Sequence, residues 1–348
     1  MPLDPSFVKD LKKVDLRYVS DTTKGITRKK SGTDFVYVDT DGKKITSDVV
    51  QERIQSLVIP PAWTDVWICP SPTGYLQATG IDEKGRKQYL YHQDWTRLSQ
   101  QNKFNKMLAF ATYLPKIRQK ISYDMGEDAY EKDKIIATII WLLEHTLIRI
   151  GNEEYAEENN SYGLTTLRSR HVSIRGKNVT FEFRGKSGVE HTVQVTHPKI
   201  AKIIKECIEL PGYEIFQYIN DRGEKHTIDS QDVNEYLQNV TGEETTAKDF
   251  RTWGATVLGA TTLNTIGPAD TTTEIKKNIL EAVKKVSQHL RNTTAVCRTY
   301  YIHPTVLKTY EEAILVPHFD KMYRTYPREK TAMNRQEFAT YTLLQKYS

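Results

Sequence analysis

Four side chains in this chain of 348 residues belong to types that can transfer a phosphoryl group. They stand in separate segments: Arg149 before Ile-Gly-Asn-Glu, Lys186 in Arg-Gly-Lys-Ser-Gly, Arg251 in Lys-Asp-Phe-Arg-Thr-Trp, and Tyr301 before Ile-His-Pro. A tyrosine hydroxyl can attack phosphorus and form a covalent ester. Guanidinium groups bind nonbridging phosphate oxygens bidentately and keep their charge, and a lysine can protonate a leaving oxygen. These residue types therefore suit transesterification of a phosphodiester.

The sequence indicates that this chemistry needs no metal or cofactor. Carboxylates and histidines do not cluster at metal-ligand spacing, and Cys69, Cys207 and Cys297 are scattered without a CxxC pair. The tripeptide 185–187, Gly-Lys-Ser, is similar to the end of a P-loop, but Thr180 stands where the first glycine belongs. We expect no metal, no cofactor, no ATP and no small-molecule substrate.

Composition is compatible with an intracellular protein that binds a polyanion. With 38% hydrophobic and 27% charged residues, the chain can bury a core and still carries a densely charged surface. The net charge of +5 suits a nucleic acid, although many other proteins share such a balance. The N-terminus lacks the apolar region of a signal peptide, and the apolar run 135–143 is too short to cross a bilayer.

Hydrophobic periodicity predicts an α+β protein with two domains. Residues 1–92 form a small β-rich domain with predicted strands at 35–38, 67–69, 75–78 and 88–91 and a helix at 47–57. Residues 93–348 form a larger, mainly helical domain with a small β-hairpin sheet at about 170–196. Its predicted helices are 98–123, 132–150, 199–210, 230–240, 247–261, 271–290 and 335–346.

Taken together, the segments resemble the type IB DNA topoisomerases, in particular the compact poxvirus-like and bacterial branch. The N-terminal part shares Ile-Pro-Pro-Ala-Trp at 59–63 and Gly-Ile-Asp-Glu-Lys-Gly at 80–85, so the resemblance covers nearly the whole chain. It implies a catalytic domain of the tyrosine recombinase and type IB topoisomerase fold, which closes with the N-terminal domain as a C-shaped clamp on DNA. The implied activity is ATP-independent relaxation of supercoiled duplex DNA through a 3′-phosphotyrosyl intermediate.

The resemblance also implies the catalytic residues. Tyr301 matches the nucleophile, Arg149 and Arg251 match the two catalytic arginines, and Lys186 matches the hairpin lysine that acts as general acid. Asn292, nine residues before Tyr301, stands where bacterial members carry asparagine and poxvirus members histidine. There it would donate one more hydrogen bond to the phosphate.

Several alternatives stay open at this point. Tyr300 departs from the small residue often found beside the nucleophile and could itself be the nucleophile, and Asn292 could instead cap the helix that ends at Leu290. The chain could be a tyrosine site-specific recombinase, although that class usually carries histidine where Lys248 stands. It could also be a DNA-binding protein with an inactive site.

Further residues are expected to contact duplex DNA, the expected partner. They are Gln77, Arg86, Lys87, Gln88, Tyr89, Tyr91, Tyr155 and Lys248. The basic run 28–30 is interpreted as a solvated surface or as generic phosphate attraction. We expect a monomer, because one chain carries the whole catalytic set. It would be located in the bacterial cytoplasm with the nucleoid, or in a virion or host cell if the source is viral.

Overall fold

The computed structural model describes residues 5–32, 34–126, 131–220, 222–327 and 332–348. The chain divides into two compact units, Met1–Phe104 and Asn105–Ser348. Helix α3, Gln93–Asp124, begins before the boundary between the units and continues through it. The division into functional domains at 92/93 stays a prediction. Within the described residues, no helix is both long and apolar enough to cross a membrane.

The N-terminal unit is built on an antiparallel sheet of five strands in the order β2-β1-β3-β4-β5. Its elements are α1 (Pro5–Lys13), β1 (Ile26–Ser31), β2 (Asp34–Val38), α2 (Asp48–Ser56), β3 (Thr64–Ile68), β4 (Leu76–Ile81) and β5 (Lys87–Tyr91). Ile54 of α2 packs against Ile26, Val66, Ile68 and Ala78 of the sheet. The predicted strands and the predicted helix of this region are therefore confirmed, with shifts of a few residues at their ends.

Strand β1 was not predicted, because its sequence Ile-Thr-Arg-Lys-Lys-Ser has little apolar alternation. The guanidinium of Arg28 donates hydrogen bonds to the carbonyls of Pro60 at 3.0 Å and Trp63 at 2.6 Å, and lies 4.2 Å from the ring centroid of Phe35. The interpretation of the run 28–30 as a solvated surface is therefore wrong for Arg28, which anchors the proline-rich segment to the sheet.

The C-terminal unit surrounds the long helix α8. Its helices are the greater part of α3, then α4 (Glu131–Thr146), α5 (Glu153–Asn159), α6 (Pro198–Glu209), α7 (Ser230–Thr241), α8 (Ala247–Ile266), α9 (Thr272–Leu290), α10 (Thr294–Tyr300), α11 (Pro304–Glu311), α12 (Leu315–Arg324) and α13 (Arg335–Tyr347). Helices α4, α7, α9, α11, α12 and α13 all contact α8. This unit is mainly helical, as predicted.

Two small sheets complete this unit. Strands β6 (Val172–Arg175), β7 (Asn178–Arg184) and β8 (Glu190–Thr196) form an antiparallel sheet in that order, which confirms the predicted hairpin sheet. Strands β9 (Gln217–Ile219) and β10 (Lys225–Thr227) form a hairpin that was not predicted. Three residues are too few to show an alternating pattern.

Local sequence explains where α8 begins and how closely it packs. Thr246 and Asp249 form a capping box, in which the Asp249 carboxylate accepts the Thr246 amide at 2.8 Å. Gly254 lets the residue after α4 approach, because a Cβ at this position would lie 2.7 Å from Leu147 Cδ2. Helix α8 thus brings its buried face directly against the end of α4.

Candidate active site

Arg149 lies on an extended segment that follows α4 in the sequence. The predicted helix 132–150 was too long: α4 ends at Thr146, and Leu147 has a left-handed φ of 53°. The Arg149 carbonyl accepts the Leu164 amide at 2.9 Å, which pairs the segment with the chain around Gly163. A Cβ on Gly163 would lie 2.6 Å from that carbonyl, so only glycine permits this approach. Backbone pairing therefore fixes Arg149.

Arg251 is a buried cation, only 4% exposed, on the first turns of α8. Its guanidinium donates hydrogen bonds to the carbonyls of Leu147 and, at 3.2 Å, Leu290. Burial, together with the charge of Arg149, lowers the pKa of Arg251 to about 10. The Arg251 guanidinium therefore stays charged at neutral pH.

Lys186 is an exposed residue at the tip between β7 and β8. The amide of Gly185 donates to Val189 O at 2.8 Å, and the left-handed φ of Ser187, 64°, reverses the chain. The Tyr162 amide donates to Arg184 O at 2.8 Å, so the end of β7 is tied to the same segment that pairs with Arg149. Backbone hydrogen bonds to the segment 162–164 thus tie both the β7–β8 hairpin and Arg149 to the same stretch of chain.

Tyr301 follows directly after the short helix α10 and is half-buried. Its ring centroid lies 5.6 Å from the guanidinium carbon of Arg251. The hydroxyl of Thr256 in α8 donates to Tyr301 O at 2.9 Å and accepts the His303 amide at 3.1 Å. A single helix thus carries Arg251 and holds the backbone of the tyrosine.

Asn292 lies just before α10 in the sequence, and its side chain contacts Arg149. Its Oδ1 accepts a hydrogen bond from Arg149 at 2.7 Å. Its Nδ2 is buried and, among the described residues, has no hydrogen-bond partner. The left-handed cap of α9 is Arg291, with φ 52°, and not Asn292. The amide nitrogen is therefore a donor without an acceptor inside the described part of the protein.

Four of the five catalytic candidates line one pocket of about 520 Å³ in the C-terminal unit, whereas Asn292 is not among the described residues that line it. Arg149, Lys186, Arg251 and Tyr301 all contribute to it, together with the exposed Lys248. Asp and Glu are absent from the described residues that line it. Tyr300, which is 43% exposed, is not among the lining residues. A cationic pocket with a tyrosine on its wall fits a phosphodiester.

The DNA-contact candidates on β5 lie at the surface of the N-terminal unit. Tyr89 and Tyr91 are exposed and their rings are stacked, with centroids 6.2 Å apart. Lys87 pairs with Asp21 at 2.6 Å, and Arg86 pairs with Asp82 at 2.7 Å. Both cations are partly exposed, so both can exchange these carboxylates for phosphates.

The remaining candidates differ in what they can offer DNA. Gln88 is half-buried and donates to Asp82 at 3.0 Å. Gln77 is only 4% exposed, and its amide accepts from Arg53 at 2.9 Å and donates to Gly74 O at 2.6 Å. Gln77 therefore has no free group for a base edge, and the expectation of a DNA contact there is withdrawn. Tyr155 lies in α5, but its side chain lies outside what the structure describes.

Two residues at the site were not found from the sequence. Thr256 is buried in α8, and a threonine in a helix carries no signal of a tertiary partner. His191 is buried on β8, with Nε2 against Gly185. The alternation of β8 already places this histidine on the inward face, next to the Lys186 turn, and that signal was available.

Comparison with known proteins agrees with the site. The model of the eukaryotic DNA topoisomerase I catalytic core matches residues 92–325, which is more than half of the chain. The model of the bacterial DNA topoisomerase IB N-terminal domain matches residues 34–82. Among the described residues, no group of three or more histidine, cysteine, aspartate or glutamate side chains is placed to hold a metal ion.

Individual relatives cover most of the chain. DNA topoisomerase 1B of Acanthamoeba polyphaga mimivirus is 36% identical over 299 residues, 82% of this chain and 88% of that protein. DNA topoisomerase 1B of vaccinia virus, strain Copenhagen, is 23% identical over 270 residues, 74% of this chain and 81% of that protein. A structure of XerH site-specific recombinase bound to palindromic difH covers 57% of this chain and 49% of its own, with 18% identity, but its TM-score of 0.36 carries no weight. The chain belongs to the type IB DNA topoisomerases.

Proposed function

We propose that this chain relaxes supercoiled duplex DNA with Tyr301 as the nucleophile, and that Arg149, Lys186, Arg251 and Asn292 assist it. The observation that carries the proposal is the single pocket, free of carboxylates among its described lining residues, that Arg149, Lys186, Arg251 and Tyr301 share. In cleavage, a bond forms between Tyr301 Oη and phosphorus while the P–O5′ bond breaks. The product is a 3′-phosphotyrosyl link and a free 5′ hydroxyl.

Charge stabilisation is the task of three side chains. Negative charge grows on the nonbridging oxygens in the pentacoordinate transition state, and Arg149 and Arg251 hold two guanidiniums close to Tyr301. The unpartnered Nδ2 of Asn292 would donate to the same oxygens. Each such donor typically contributes about 3 kcal/mol, or roughly 10² in rate.

Two protons move during cleavage. Lys186 Nζ gives one to O5′ as the P–O5′ bond breaks, and the Tyr301 hydroxyl loses its proton to water. Religation is the reverse: the 5′ hydroxyl attacks phosphorus and the tyrosine leaves. Because the ester with tyrosine conserves the energy of the phosphodiester, resealing needs no ATP. While the strand is open, the duplex can rotate and lose supercoils.

DNA is the partner, and we propose how the chain holds it. Lys248 at the pocket, Arg86, Lys87, Gln88, Tyr89 and Tyr91 on the N-terminal unit, and Tyr155 on α5 would contact the duplex. Phosphate contacts dominate such binding, so affinity should fall steeply with salt.

Residues 1–92 would serve as the DNA-clamp domain and residues 93–348 as the catalytic domain. We further propose that the chain acts as a monomer and works wherever its genome lies, in a bacterial cytoplasm or in a virion or host cell.

A relaxation assay tests this proposal. Purified protein should relax supercoiled plasmid in buffer that contains EDTA and lacks ATP. A recombinase would instead join paired specific sites and leave supercoils in place, and an inactive DNA-binding protein would shift the plasmid without changing its linking number. Either of those two results would contradict the proposal.

A further inference from the structure

A buried histidine lies directly under the turn that carries Lys186. His191 is the first inward-facing residue of β8 and is only 6% exposed. It pairs with Phe183 across the hairpin, and the two rings are stacked, with centroids 4.7 Å apart and planes at 13°. The imidazole therefore has a fixed place at the base of the turn.

This ring also explains why Gly185 precedes Lys186. Gly185 has φ −96° and ψ −168°, which is extended backbone open to any residue. A Cβ at this position, however, would lie 2.6 Å from His191 Nε2. The backbone of Gly185 closes the turn, since its amide donates to Val189 O at 2.8 Å and its carbonyl accepts from Gly188 at 3.0 Å. The imidazole thus supports the turn from below.

The charge of the ring suits this place. Burial and the nearby charges of Arg149, Arg291 and Arg251 lower the pKa of His191 to about 4, so the ring is neutral at neutral pH. A neutral ring adds no further repulsion on the Lys186 ammonium. Among the described residues its Nε2 has no hydrogen-bond partner. A buried nitrogen left in this way costs free energy, so Nε2 adds no hydrogen bond to the stability of the hairpin.

We propose that His191 is a positioning residue: through Gly185 it holds the Lys186 turn so that Lys186 Nζ reaches the leaving O5′. This inference rests on the proposed function, in which Lys186 gives that proton as the P–O5′ bond breaks. His191 is buried and is not among the described residues that line the pocket. Its loss should therefore harm proton donation selectively and leave the arginines and the tyrosine in place.

A DNA substrate with sulfur in place of O5′ at the cleavage site separates these effects. A thiol has a pKa near 8.5 and leaves as a thiolate without a proton, so this substrate does not need the general acid. Single-turnover cleavage is measured on oxygen and sulfur substrates for His191→Ala and Lys186→Ala. Val195→Ala is the matched control, because Val195 is buried on the same face of β8 at the far end of the hairpin.

The proposal gives a definite pattern of rates. On the oxygen substrate, Lys186→Ala should be slower by roughly 10² or more and His191→Ala by about tenfold or more. On the sulfur substrate, both should come within about threefold of the unsubstituted protein, which is under about 1 kcal/mol. Val195→Ala should keep the unsubstituted ratio of the two rates.

A second variant guards against a mere folding defect. Gly185→Ala leaves His191 in place but puts a Cβ against it, and it should show the same selective loss on oxygen. In the double variant, which combines Gly185→Ala with His191→Ala, the imidazole is gone and its space is vacant. The Cβ added at residue 185 should therefore cause no further loss beyond that of His191→Ala. Equal slowing on both substrates, or no slowing, in His191→Ala and Gly185→Ala overturns the inference. If Lys186→Ala itself stays slow on sulfur, the role proposed for Lys186 fails, and the inference fails with it.

Discussion

Replacing Asn292 by alanine should slow strand cleavage strongly while the fold stays intact. The substitution removes Nδ2, a buried donor that has no partner among the described residues and that, in the proposed mechanism, donates to a phosphate oxygen. It also removes Oδ1, which accepts from Arg149 at 2.7 Å and fixes the direction of that guanidinium. Two contributions to transition-state binding thus depend on one amide.

The expected magnitude follows from those contacts. Loss of one preorganised donor to a developing oxyanion costs about 3–4 kcal/mol, or roughly 10²–10³ in rate. Asn292→Asp keeps an oxygen for Arg149 but turns the donor into an anion that faces the phosphate. That variant should cleave more slowly than Asn292→Ala and should also bind DNA more weakly.

The assay is single-turnover cleavage of a suicide substrate, in which the short leaving fragment with the free 5′ hydroxyl dissociates, so that religation cannot compete. Asn278→Ala is the matched control, because Asn278 lies on α9 and its amide donates to the Tyr310 hydroxyl at 2.8 Å, whereas the amide of Asn292 accepts from Arg149. Cleavage by Asn292→Ala within about threefold of the unsubstituted protein, under about 1 kcal/mol, would refute the reasoning.

Three further outcomes are expected. Thr256→Val removes the hydrogen bond that the Thr256 hydroxyl donates to the half-buried Tyr301 carbonyl, which costs about 1 kcal/mol or more; cleavage should slow and Tm fall, and Thr256→Ser should restore both. Lys248→Gln should weaken DNA binding and reduce the slope of log K against log salt by about 0.9, the value for one lost phosphate contact; an unchanged slope argues against that contact. Arg251→Lys should lose activity relative to the unsubstituted protein as pH rises from 7 to 9. Burial and the charge of Arg149 lower the pKa of Arg251 to about 10, and they would also hold the pKa of a lysine at this position below its ordinary value. The charged form of that lysine therefore disappears as the pH rises. A ratio of variant to unsubstituted activity that does not change with pH contradicts this.

The residue types of the site and the long periodic elements could be predicted from the sequence. Helices such as α7, α8, α9 and α13 carry apolar residues at helical spacing, and the hairpin sheet alternates clearly. Short elements could not be predicted, because a short helix depends on tertiary packing for its stability. Helix α10 is an example, with seven residues and one buried side chain.

Tertiary partners account for the remaining differences. The end of α4 was misplaced because Leu147 and Arg149 are held by Arg251 and by the strand-like pairing with Leu164, contacts that are distant in sequence. Gln77 was expected to contact DNA, but Arg53 of α2 gives its amide a buried partner. Local patterns contain no information about such contacts.

Covalent trapping tests the central claim most directly. Protein incubated with a suicide substrate is digested, and the peptide that carries the nucleotide is sequenced. We predict that the adduct lies on Tyr301 and that Tyr301→Phe yields no adduct, whereas Tyr300→Phe, which changes a residue outside the pocket lining, still forms it. An adduct on Tyr300, or undiminished adduct formation by Tyr301→Phe, would contradict the account.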